Sequence, residues 1–166
     1  MLQGYIESLL GIAQLAIALA GFSGVVVVFG SRKEGTWDPG DKLRLVFLIE
    51  SSLTAAGFAL LALLLTYSFP STLSTSWITV SLLWSAFMMW SLYSSHTRIR
   101  LNSEKHDDID RLSNGLVTLV FSLLILVQFA NFLLWKEFWP VLAALCFNLA
   151  GATMQFARLI KSAFHE

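Results

Sequence analysis

Glu50 is the residue of this 166-residue chain whose type and setting most invite chemistry. It is the one acidic residue well inside an apolar run, with Ser51 and Thr54 within a helical turn of it. A carboxylate at the centre of a membrane-crossing helix costs about 2.5–3.5 kcal/mol on insertion scales, so such residues generally face a polar partner, an ion or a proton path. Arg44 lies about 9 Å away along a helix axis, too far for an easy route to the surface. Counted by depth, Ser23 or Gly24, Ser91, Ser122 and Gln155 fall near the same level. Two readings stay open: an ion or proton station, and a hydrogen-bonded glutamate that joins helices.

The amides Gln14, Gln128, Asn131 and Asn148 form a second constellation, expected in the opposite half of the bundle from Glu50. They could line a polar vestibule, or join helices at about 0.6 kcal/mol per bond. Gly21-Phe22-Ser23-Gly24 matches the GxSG serine motif of rhomboid-type intramembrane proteases. A nucleophilic serine needs a base within hydrogen-bond reach. His96, His106 and His165 all fall at or beyond helix ends, so the expected role of these glycines is close helix contact. Glu104, His106, Asp107, Asp108 and Asp110 lack the spaced pattern and glycine of a calcium loop and read as a solvated helix entrance. Cys146 is the only cysteine, which leaves no cysteine-cluster metal site. No phosphate loop, zinc motif or hydrolase elbow occurs, and no metal or cofactor is expected. The chain is therefore read as non-enzymatic.

The elements that position these residues follow from composition. The chain is 56% hydrophobic and 13% charged, with a mean hydropathy of +0.69. Those values belong to polytopic membrane proteins rather than soluble domains. The formal net charge of zero gives no argument for nucleic acid. The N-terminal run lacks a basic leader and is too long for a signal-peptide core, so it reads as a retained helix. Five helices are predicted, at about 9–29, 43–67, 77–95, 115–135 and 140–160, forming a single transmembrane domain over 1–166. The first, from Leu9 to Phe29, would extend roughly 30 Å, enough to cross a hydrocarbon core. Ala16, Ala20 and Gly24 recur every four residues and predict a packing face. Ser51, Ala55, Ala59 and Ala62 predict another on the second helix, with Leu and Phe opposite. Asp38 is placed as an N-cap, Pro39 at the first helical position and Asp41 for a capping box. Gly30 is expected to end the first helix. Trp37 is expected at headgroup level, as are Trp77, Trp135 and Trp139, while Trp84 and Trp90 lie deeper on the third helix.

Charge fixes an expected orientation. Arg32, Lys33, Lys42 and Arg44 fall in or beside the first loop. Arg98, Arg100, Lys105 and Arg111 fall in or beside the third, and Arg158 and Lys161 lie near the C-terminus. Lys136 alone falls on the other side. By the positive-inside rule the N-terminus is outside and the C-terminus cytoplasmic, which requires five crossings.

The block IAQLAIALAGFSGVVVVFG, followed by a charged loop, WDPGDKLRL and LIESSL, resembles small uncharacterised bacterial multi-pass membrane proteins over the first third of the chain. The resemblance implies a multi-pass protein of the bacterial inner membrane and no specific activity. The expected fold is therefore an all-α integral membrane bundle of five helices. The expected function is an oligomeric ion-conducting pore or transport protein with a polar station at Glu50. The alternative is a non-catalytic accessory or scaffold subunit of a larger membrane complex. The expected partners are the lipid bilayer and either further copies of the chain or a larger membrane complex.

Overall fold

A long apolar run can satisfy its backbone polar groups without water only by bonding them internally, and helices do so within one segment. The computed structural model describes residues 2–29, 39–102 and 108–164. The long elements among them are helices: α1 (Leu2–Phe29), α2 (Pro39–Ser68), α3 (Leu73–Asn102), α4 (Asp108–Ala130) and α5 (Phe138–Phe164), with a π turn at Asn131–Trp135 between the last two. Four of these helices contain stretches long and apolar enough to cross a membrane: Leu2–Val25, Gly40–Ser68, Gly115–Trp135 and Phe138–Lys161. α3 is as long as α2, but its Ser, Thr, Trp and Tyr residues lower its mean hydropathy, and it is not among the four.

The helices outrun their apolar cores. α1 begins at Leu2 rather than near Leu9, because its polar first turns sustain a helix. Gln3 Nε2 donates to Glu7 Oε1 at 3.0 Å, and Ser8 Oγ donates to the Gly4 carbonyl at 2.8 Å. α2 starts at Pro39, whose fixed φ and missing N–H suit a first helical position. Asp41 is buried and accepts from Arg44 Nη1 at 2.9 Å. The uncharged turn before α3 shortens to residues 69–72, where Thr72 N donates to the Phe69 carbonyl at 3.1 Å with Pro70 between them. Gly30, Trp37, Asp38, Glu104, His106, Asp107 and His165 lie outside the described residues.

The chain divides into two compact units. One contains α1, α2 and α5 from Leu142 onward; the other runs from Ser68 to Val141 and contains α3, α4, the π turn and the start of α5. In the first unit the most buried residues of α2 are Leu48, Ser52, Ala55, Ala59, Ala62 and Thr66. They are spaced alternately by four and three, the period that keeps one seam on one side of a helix. α1 repeats the pattern with Leu9, Ala13, Ala16 and Ser23 buried and Ala20 half-buried, and α5 with Leu145, Asn148, Ala152 and Leu159. Phe22 of α1 meets Phe156 of α5 with ring centroids 6.4 Å apart.

This seam follows a different period from the expected packing faces. A strict four-residue repeat drifts around the helix by about 40° per step, whereas a four–three alternation does not. Ala16, Ala55 and Ala59 lie on the seam and are fully buried, whereas Ser51 is half-buried and the adjacent Ser52 is enclosed. Gly24 is exposed, and a methyl group built there, or at Gly21, would meet nothing within 4 Å. The close contact expected of those glycines is not made among the described residues.

In the second unit α3 packs against α4 and against the π turn. Trp77, Val80, Ser81, Trp84, Ser85 and Met88 of α3 are buried, while Leu82, Leu83, Phe87, Met89 and Trp90 face outward. Trp77 is 3% exposed, with its ring 5.0 Å from Phe138. The headgroup depth expected for Trp77 is a position along the helix and does not conflict with its burial inside the chain.

Candidate functional site

The residues picked out by type divide between the two units. In the first, Glu50 and Ser51 are half-buried on α2, one to two positions from the seam residue Ser52. Thr54 Oγ1 donates to the Glu50 main-chain carbonyl at 2.6 Å, the local bond by which a hydroxyl in an apolar helix satisfies itself. Ser23 of α1 is 2% exposed and does the same, donating to the Ala20 carbonyl at 2.6 Å. That bond uses the proton a nucleophilic serine would pass to a base.

Other buried polar atoms of this unit lack such bonds. Ser52 Oγ, Asn148 Nδ2 and Gln155 Oε1 are enclosed without a hydrogen-bond partner. Asn148 and Gln155 stand seven residues apart, two turns along one face of α5. A buried amide or hydroxyl with no partner is costly in an apolar medium. The first unit thus combines a half-buried acid with a seam whose polar atoms have unused hydrogen-bonding capacity.

The second unit gathers its polar groups at the junction of α4 and α5. Asn131, fully buried, opens the π turn. Its Nδ2 donates to Ser81 Oγ of α3 at 2.9 Å and to the Glu137 carbonyl at 3.1 Å, and its Oδ1 accepts from Glu137 N–H at 2.9 Å. Both amide protons are thereby used. Lys136 N–H donates to the Asn131 carbonyl at 2.9 Å, closing the wide π ring, and Lys136 itself has φ of 56°. One turn earlier, Gln128 is 1% exposed and its Nε2 donates to the Pro140 carbonyl at 2.6 Å. These bonds serve main-chain groups left over where one helix ends and the next begins. Trp135 and Trp139 flank the junction with ring centroids 5.0 Å apart, both substantially exposed.

The structure therefore joins Gln128 and Asn131 at one junction, places Asn148 in the core of the other unit, and leaves Gln14 exposed. Ser81, Ser52 and the Pro140 carbonyl are participants that residue type alone did not single out. The readable signal was position: Ser52 and Ser81 continue four–three patterns of buried residues, Leu48-Ser52-Ala55-Ala59 and Trp77-Ser81-Trp84-Met88. Among the described residues, no three His, Cys, Asp or Glu side chains come together to hold a metal ion. No family model, curated protein or solved structure matches this chain.

Proposed function

We propose that this chain is a five-crossing protein of a bacterial-type inner membrane, its N-terminus outside and its C-terminus cytoplasmic. In this reading it assembles with further copies of itself into an ion-conducting pore or transport protein with Glu50 as a polar station. Counting α3 as the fifth crossing is supported by the exposed Leu82, Leu83, Phe87, Met89 and Trp90, while Ser76, Ser81 and Ser85 are buried. In water the opposite arrangement is expected; against lipid this one is. Orientation rests on the basic residues flanking the loops and on Lys136 standing alone near the exposed Trp135–Trp139 pair, where aromatic anchors belong.

The observation that carries the pore reading is Glu50 itself: an acid within an apolar helix, half-buried beside a seam with unsatisfied polar atoms at Ser52, Asn148 and Gln155. Ser51, Thr54 and Ser23 are the oxygens of the same unit that would accompany it. Acids inside membrane-spanning helices generally mark a route for ions or protons. A second reading, a non-catalytic accessory or scaffold subunit of a larger membrane complex, draws on Gly21, Gly24 and Gly57. All three are exposed with nothing within 4 Å of a would-be Cβ, so another helix could approach them closely.

Flux separates the two readings. Purified protein in liposomes should pass a small monovalent cation or protons, and Glu50→Gln should reduce that flux at least tenfold while preserving assembly. Equal flux in both proteins, or none above empty liposomes, rejects the station at Glu50.

A further inference from the structure

The bond between Asn131 Nδ2 and Ser81 Oγ fixes the register of α3 against α4. The two helices run in opposite directions on either side of a short connection, so moving one turn forward from Ser81 and one turn back from Asn131 reaches the same level. Those moves arrive at Trp84 and Gln128, about 4.5 Å along each axis. Met88 and Leu124, the next positions along the two buried faces, are buried as well.

Trp84 and Gln128 are each 1% exposed. Trp84 Nε1 and Gln128 Oε1 both lack a hydrogen-bond partner within the chain. Gln128 Nε2 is held by the Pro140 carbonyl at 2.6 Å, which fixes the amide and leaves its oxygen as the open end. The indole nitrogen can only donate and the amide oxygen can only accept. One layer of the unit core therefore presents a donor and an acceptor from opposite helices, neither engaging the other. The group that satisfies both must accept once and donate once. Water is the smallest that does, and buried waters characteristically sit among otherwise unsatisfied polar groups.

We propose that the Trp84–Gln128 layer is a binding site for one water molecule. The water accepts from the Trp84 indole N–H and donates to Gln128 Oε1. Its second proton can be shared with Ser85 Oγ, the buried oxygen next to Trp84 in sequence, whose own proton is given to the Ser81 carbonyl at 2.7 Å. The water extends the polar junction of Asn131 one turn deeper into the unit and makes Trp84 part of it.

The test is solution NMR on the full, 15N-labelled protein in detergent micelles, with Trp84→Phe identifying the Trp84 indole resonance among the six tryptophans. The wild-type Trp84 indole proton should show a dipolar cross-peak to a long-lived water and exchange slowly with bulk solvent. Gln128→Met, which keeps length but removes the acceptor, should abolish that cross-peak. A hydrogen-bonded indole with no water cross-peak means direct contact with Gln128 and overturns the proposal. So does an unbonded indole, or a water cross-peak indifferent to Gln128→Met. The wild-type measurement decides even if Gln128→Met does not fold.

Discussion

Both units enclose unpaired polar atoms, but among the described residues only the second also holds a fully committed amide junction. In the unit of α1, α2 and α5, small side chains at four–three spacing line the buried seams, and polar atoms such as Ser52 Oγ and Asn148 Nδ2 are enclosed unpaired. In the unit of α3 and α4, one asparagine commits its amide protons and carbonyl to Ser81 and Glu137, and a π turn forms around it. Small residues permit close packing and leave polar atoms free to find other partners. A saturated amide such as Asn131 fastens a junction and has nothing left to offer, whereas Gln128 Oε1 and Trp84 Nε1 of the same unit are still unpaired. The Asn131 junction is thus suited to hold shape, while the unpaired atoms of either unit remain open to a small polar guest.

Asn131→Leu tests that assignment most severely. It removes one bond to Ser81 and two to Glu137. At about 1 kcal/mol per bond the variant should lose about 3 kcal/mol. Reversible unfolding in mixed micelles would measure it. A loss below about 0.5 kcal/mol would mean that the junction is not a fastening at all. On the pore reading, flux should persist wherever the variant remains folded.

Ala59→Leu asks the matching question of the other unit. Ala59 is fully enclosed, in line with Ala55 and Ala62. Added methylenes in a closed seam force neighbours apart, at typically 1–3 kcal/mol. A loss of about 2 kcal/mol is expected in the same unfolding assay. The equivalent change at Gly24, which has open space around it, should cost nothing within a single chain. If Gly24→Leu nevertheless disrupts an assembly, its partner lies on another copy.

Much of this was readable from residue type. Apolar length announced the helices, and Pro39 and Pro140 sit in the first turns of α2 and α5 as their missing N–H groups predict. Asn131 and Gln128 stood out as amides in apolar surroundings. Two things were not readable. Whether an amide is spent or spare depends on what the next helix offers, and Ser81 is fifty residues from Asn131. Which small residues line a seam depends on drift over several turns, so a four-residue stripe ran true at Ala16 and Ala55 and then departed at Gly24 and Ser51.

Lys136 should give a smaller shift. Its φ of 56° is left-handed, a conformation costing an L-residue roughly 1–2 kcal/mol and glycine almost nothing. Glycine loses more freedom on ordering, by roughly 0.5–1 kcal/mol. Lys136→Gly should therefore stabilise the junction by between nothing and about 1.5 kcal/mol. A loss of stability would show that the Lys136 side chain contributes to the fastening.

Ser52→Ala should have the smallest effect and separates the units most directly. Before a membrane helix packs, its serine hydroxyl can bond the carbonyl four residues back, here that of Leu48. In the packed seam Ser52 Oγ has no partner. Packing thus forfeits a bond that alanine never had, worth about 0.6 kcal/mol on the scale measured for hydrogen bonds between membrane helices. The variant should be as stable as the wild type or more stable by about that amount. If Ser52→Ala instead loses stability, Ser52 is already paired within the folded chain, and the first unit is fastened in the same manner as the second. If stability holds while flux through the assembled protein falls, the unpaired hydroxyl is serving the ion path alongside Glu50.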